Sequence, residues 1–137
     1  MSAIAGSSVA MSAIVKSAIA CSAIADKIGS YRSKLITTLS DTGKFTKTNS
    51  GKSVGSGGGT FTDGLNTNTV YIPINCNDDG DTDFAAYSGA NQNLLIANVT
   101  KHNGTVSITS GVSLRGTKVV GTGGSVGYIS FDIYTAK

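Results

Sequence analysis

The chain has 137 residues, enough for one ordinary domain and an appendage. Only 14% of residues are charged and the net charge is +3, with basic residues scattered along the chain, so no nucleic-acid footprint is present. Two cysteines in different halves exclude a disulfide-rich scaffold, and Cys21 and Cys76 read as free, buried thiols.

A five-residue unit recurs over residues 2–28: Ser2-Ala-Ile-Ala-Gly6, Ser7-Ser-Val-Ala-Met11, Ser12-Ala-Ile-Val-Lys16, Ser17-Ala-Ile-Ala-Cys21, Ser22-Ala-Ile-Ala-Asp26. Pro is absent and Ala, Ile, Lys and Leu dominate, so residues 2–42 are predicted as helix, with Gly43 as its stop. Forty residues of helix span about 60 Å, the length of a rod. Each step of five turns a helix by about 140°, so the branched residues at 4, 9, 14, 19 and 24 go round it. Further on, Cys21, Ile24, Ile28, Tyr31 and Leu35 are spaced 3, 4, 3, 4, a heptad seam, and Ile at such positions favours three strands. Gly29 is a candidate kink. The expectation is a homotrimeric, coiled-coil-like stalk over residues 1–42, packed through Ile14, Ile19, Ile24, Ile28, Tyr31 and Leu35. A pentapeptide-repeat β-helix shares the period, but five units make little more than one coil. Lys16 and the regular serines argue against a cleaved signal and against a membrane span.

The words Val9-Ala-Met-Ser-Ala-Ile14 and the Ser-Ala-Ile units at 17–19 and 22–24 resemble the helical repeats of tailed-bacteriophage fibre and tail proteins. The resemblance covers the first third of the chain. It implies a trimeric virion appendage with a C-terminal head, joined to other virion proteins through its N-terminal segment.

Residues 43–60 read as a linker, because Gly55-Ser-Gly-Gly-Gly59 is flexible unless packed. Residues 61–137 read as a β head of six to eight short strands, an antiparallel sandwich or barrel. Thr69–Ile74 is a strand whose Pro73 marks an edge or a bulge. Phe84–Tyr87 is a weak strand. Asn93–Lys101 and Thr105–Thr109 flank Asn103-Gly104, a two-residue hairpin signal that sets Val99 opposite Ile108. Val112–Leu114 and Lys118–Val120 are strands joined at Arg115-Gly116. Ser125–Thr135 closes the chain, with Ile129, Phe131 and Ile133 on one face and Tyr128 and Tyr134 on the other. The fold class is therefore α+β by segregation: a long helix, then an all-β head.

The candidate chemistry is sparse. Asp78, Asp79, Asp81 and Asp83 crowd loop 77–83, the oxygen-rich composition that suits Ca²⁺, although the spacing is not that of an EF-hand; a solvated turn is the plainer reading. No other cofactor is expected. His102, the lone histidine, has no nominated nucleophile or acid beside it, and no enzyme activity is expected. Tyr71, Tyr87, Tyr128 and Tyr134 are candidates for stacking on sugar rings, with half-buried strand tyrosines as the alternative. The function expected is that of a virion fibre protein whose head attaches to a host-surface glycan. A purely architectural virion protein and a bacterial surface adhesin are the alternatives.

Overall fold

The structure, a computed structural model, describes residues 1–54, 58–123 and 127–137. The N-terminal third is helical, but it is not one rod. It comprises α1 (Ser2–Ala5), α2 (Ser8–Val15), α3 (Ala18–Ile28), a 3-10 turn over Gly29–Tyr31 and α4 (Arg32–Leu39). The breaks have a local cause. Ser7 and Ser17 adopt extended backbone (φ −122° and −111°), and each hydroxyl accepts a hydrogen bond from the amide three residues on, Ala10 and Ala20, at 3.2 Å. Both are N-caps, and a residue with cap geometry cannot continue the preceding helix. Where the next serine of that series would fall stands Lys27, and the helix runs on to Ile28.

The structural unit is therefore ten residues, not five. Met1, Met11 and Cys21 are equivalent, as are Ala5, Val15 and Ala25, and the interior takes the same positions of each coil. Met11, Cys21, Ala5 and Val15 are fully buried, and Ala25 is nearly so. The equivalent pair Val9 and Ile19 points outward, 64% and 85% exposed.

Nine strands follow among the described residues: β1 (Phe45–Val54), β2 (Gly59–Asp63), β3 (Thr69–Asp79), β4 (Thr82–Ser88), β5 (Leu95–Val99), β6 (Asn103–Ser107), β7 (Ser113–Leu114), β8 (Thr117–Gly123) and β9 (Gly127–Ala136). They form two antiparallel sheets. The first has the order β1-β9-β3-β6, with β7 also on β3; the second has the order β2-β8-β4-β5. Strands pass back and forth between the sheets, so each sheet collects neighbours distant in sequence. Eight strands in this order make a jelly-roll sandwich.

Alternation explains the packing. On β4 and β8, Phe84, Ala86, Thr117 and Val119 face inward. Phe84, Ala86 and Val119 meet Tyr71, Cys76, Ile129, Phe131 and Ile133 of the first sheet. Tyr71 sits edge-on to Phe131, ring centroids 5.6 Å apart. The first sheet has a second, outer layer. Val70, Ile72, Leu114, Tyr134 and Ala136 on its other face pack against Met11, Val15, Cys21, Ile24, Ile28, Leu35 and Leu39 of the helices. β3 is thus buried on both faces from Thr69 to Pro73.

This corrects the stalk-and-head expectation. The seam of Cys21, Ile24, Ile28 and Leu35 is real and buried, but it closes on the chain's own sheet. Ile14 and Tyr31 are partly buried against the same core, and Ile19 is exposed. Among the described residues no long helix exists to be shared between three chains. Two arginines bolt the helical layer down. The Arg32 guanidinium donates to the carbonyls of Pro73 (2.8 Å), Gly111 (2.9 Å) and Ile108 (3.1 Å). Arg115 donates to the Val15 carbonyl at the end of α2 (3.1 Å) and to that of Asn66 (2.9 Å).

Two further expectations change. The segment 43–60 carries β1 and the start of β2, with residues 55–57 outside the described set. Asn103-Gly104 is not a hairpin turn: both residues lie in β6 and pair with Asp79 and Asp78 of β3, while β5 belongs to the other sheet. The Pro73 bulge is present, as a register shift between Pro73 and Asn75. The turn at Arg115-Gly116 is also present, both residues at positive φ (60° and 90°). A Cβ on Gly116 would lie 2.3 Å from the Gly64 carbonyl carbon, so this crossing admits only glycine. β9 begins at Gly127; Ser125 lies outside the described residues.

Candidate functional site

The four candidate tyrosines separate by burial. Tyr71 and Tyr134 are core residues, 3% and 2% exposed. Burial, with the Asp63 carboxylate alongside, pushes the Tyr71 hydroxyl far above its ordinary range. Tyr87 is half-buried on the outer face of the second sheet, with Lys118 Nζ 5.4 Å from its ring centroid. Tyr128 alone of the four is open, 42% exposed.

The four aspartates do not converge. Asp78 turns inward, is 4% exposed, and accepts the Thr82 amide at 2.8 Å. Asp83 accepts the Lys101 amide at 2.6 Å, and Asp81 pairs with Lys101 Nζ at 3.3 Å. Asp79 projects from the opposite face of β3 to Asp78, as alternation requires. Among the described residues no three His, Cys, Asp or Glu side chains gather closely enough to hold a metal ion. The carboxylates instead organise the β3–β4 corner. His102 Nδ1 lies 3.3 Å from the Thr100 carbonyl, beside that corner. Cys21 and Cys76 are buried free thiols, which burial pushes up to about 11 and about 12.

One surface brings polar groups and an aromatic ring together. The helices cover the outer face of the first sheet over Val70, Ile72 and Tyr134 and leave its other half bare. The strand registers place Asn49 beside Asp132, Asn75 beside Ser130, Asn77 beside Tyr128, and Asp79 beside Asn103. Tyr128 stands between two depressions. One is lined by Asn49, Asn75, Ser130 and Asp132. The other is lined by Asn77, Asp78, Asp79, Asn103, Gly104 and Gly127.

The first depression is internally satisfied. Ser130 Oγ donates to Asn75 Oδ1 at 2.6 Å, Asn49 donates to Asp132, and Lys47 Nζ lies 2.9 Å from Asp132. That carboxylate hydrogen bond holds the Lys47 ammonium above its ordinary range. In the second, Thr105 Oγ1 donates to Asn77 Oδ1 at 3.3 Å, while Asp79 and Asn103 are exposed.

No family model and no curated protein matches the chain. Among solved structures it is similar to a chain described as "Bacillus endospore appendages form a novel family of disulfide-linked pili". The alignment has 14% identity and a TM-score of 0.45, and covers 67% of this chain and 86% of that one.

A ring face held on a strand, with amide and carboxylate groups at fixed spacing beside it, binds a molecule that offers both C–H surface and hydrogen-bonding edges. Of its members, the sequence nominated Tyr128 and Asp79. It did not nominate Asn75, Asn103 or Thr105 as ligand contacts; these join Asn77, which lies in the acidic stretch 77–83, only through the pairing of β3 with β9 and β6. Strand alternation after the bulge was the available signal: residues 75, 77 and 79 share a face. No helix among the described residues is long and apolar enough to cross a membrane.

Proposed function

We propose that this protein is a structural, non-catalytic module of a surface appendage, and that it attaches to carbohydrate through the uncovered face around Tyr128. The observation that carries the reading is the half-covered sheet. Helices seal the apolar half of its outer face, and the remaining half presents one exposed aromatic ring among Asn, Asp, Ser and Thr. The resemblance of the Ser-Ala-Ile repeats to those of tailed-bacteriophage fibres makes the appendage that of a virion in this reading. The neighbouring virion protein would then seat on the outer side of α2 and α3, where Val9 and Ile19 stand out from the surface.

The test is a glycan array probed with the full chain, followed by saturation-transfer NMR on the hits. Binding that disappears in Tyr128→Ala, with the thermal midpoint unchanged, supports the reading. Absence of glycan binding by the wild-type chain, or binding that survives Tyr128→Ala, refutes attachment through this face.

A further inference from the structure

We propose that the Tyr128 face selects a hexosamine with a free, protonated amino group, held in the depression formed by Asn77, Asp79, Asn103 and Gly104; this rests on the carbohydrate reading above. The two depressions beside the ring are not equivalent. In the first, Asp132 is already neutralised by Lys47 at 2.9 Å and occupied by Asn49, so its carboxylate has little left to offer a ligand. In the second, Asp79 is exposed and pairs in register with Asn103, likewise exposed. Lys101, beside this corner, is committed to Asp81 through its ammonium and to Asp83 through its amide. Asp78 also borders this depression, but strand alternation turns its side chain to the other face, where it is 4% exposed. Asp79 is therefore the exposed carboxylate at this depression, which Tyr128 also lines.

A carboxylate is an acceptor without donors, so it is matched by a group that brings both protons and positive charge. The Tyr128 ring attracts the same charge through its quadrupole. A 2-amino sugar presents its ammonium at one ring position and hydroxyls at the next, in reach of Asn77 and Asn103. An acidic sugar would set like charge against Asp79. A neutral or N-acetylated sugar would lose the charge match and keep only the ring contact.

The experiment compares chitosan tetramer, its fully N-acetylated counterpart, a sialylated oligosaccharide and tetralysine, by calorimetry against the full chain. The expected result is preference for the free amine by about tenfold or more, falling with added salt and as pH rises from about 6 to about 9, where the amine deprotonates. Asp79→Asn should remove that preference without moving the thermal midpoint, and Tyr128→Ala should remove binding of every sugar. If the N-acetylated or sialylated sugar binds as well as the amine and Tyr128→Ala still abolishes it, selection by Asp79 is wrong while attachment stands. If tetralysine binds as tightly as the sugar, a simple cation site replaces this inference. If no sugar binds, both readings fall.

Discussion

Leu35→Ala and Ile19→Ala form a pair that separates a helical layer folded onto its own sheet from helices shared between chains. The two residues would be equivalent in a stalk, since both would lie in its interior. In the structure Leu35 is fully buried against the first sheet and Ile19 is 85% exposed. Truncating a buried leucine removes its transfer energy and leaves a cavity, a loss of about 2–5 kcal/mol. For a chain of this size each kcal/mol moves the midpoint by roughly 4 °C, so Leu35→Ala should lower Tm by roughly 8–20 °C. Ile19→Ala exposes nothing new, and alanine is a better helix former, so its effect should stay within about 0.5 kcal/mol. Urea and thermal unfolding followed by circular dichroism measure both, at protein concentrations of about 1 and 100 µM. Comparable losses for the two variants, or a midpoint that climbs with concentration, would refute the monomer-internal packing.

Arg32→Met should cost about 3 kcal/mol or more, because three buried carbonyls lose a charged donor together; amide exchange in α4 should accelerate, and protection equal to wild type would contradict the anchoring role. Cys21 and Cys76 should not react with a thiol reagent at pH 8 until the chain unfolds, since burial raises both from 9.0, to about 11 and about 12. A thiol whose folded value is raised stabilises fully below the unfolded value and loses that contribution as pH climbs. The thiols' contribution should therefore be constant below about pH 8.5 and decline above about pH 9, by up to about 1.4 kcal/mol per unit per thiol; a double Cys→Ala variant should remove the slope between about pH 9 and 10, above which Tyr71, likewise raised, adds its own.

Much of the sandwich is legible in the sequence because a strand's pattern is local. The alternation of Ile129, Phe131 and Ile133 against Tyr128 and Tyr134 places those residues on the correct faces of β9. Pro73 marks the bulge, and Arg115-Gly116 the turn. What local pattern cannot supply is partnership. Asn103-Gly104 carries a hairpin signal, yet the chain leaves β5 for the opposite sheet before it arrives there. The open face depends on the same long-range choices. In the helices, Ser2, Ser12 and Ser22 look much like Ser7 and Ser17, but only the last two serve as caps with a hydroxyl bond. A five-residue period predicts a rod, whereas the ten-residue period of the backbone gives a folded-back layer. Four of the five heptad positions, Cys21, Ile24, Ile28 and Leu35, are buried, but across a 3-10 break and against a sheet, because a sheet face and a second helix ask for the same apolar stripe.

The ten-residue coil also governs how such a chain tolerates change in length. Removing or inserting ten residues between Ser7 and Asp26 returns each interior position to the interior and each serine cap to a cap, so the sheet beneath would meet the same surface. A change of five, though invisible to the eye in so repetitive a stretch, would bring Val9 or Ile19 to where Ile14 or Ile24 had been and turn Met11 or Cys21 toward water. Genetic drift in this segment should accordingly move in steps of ten.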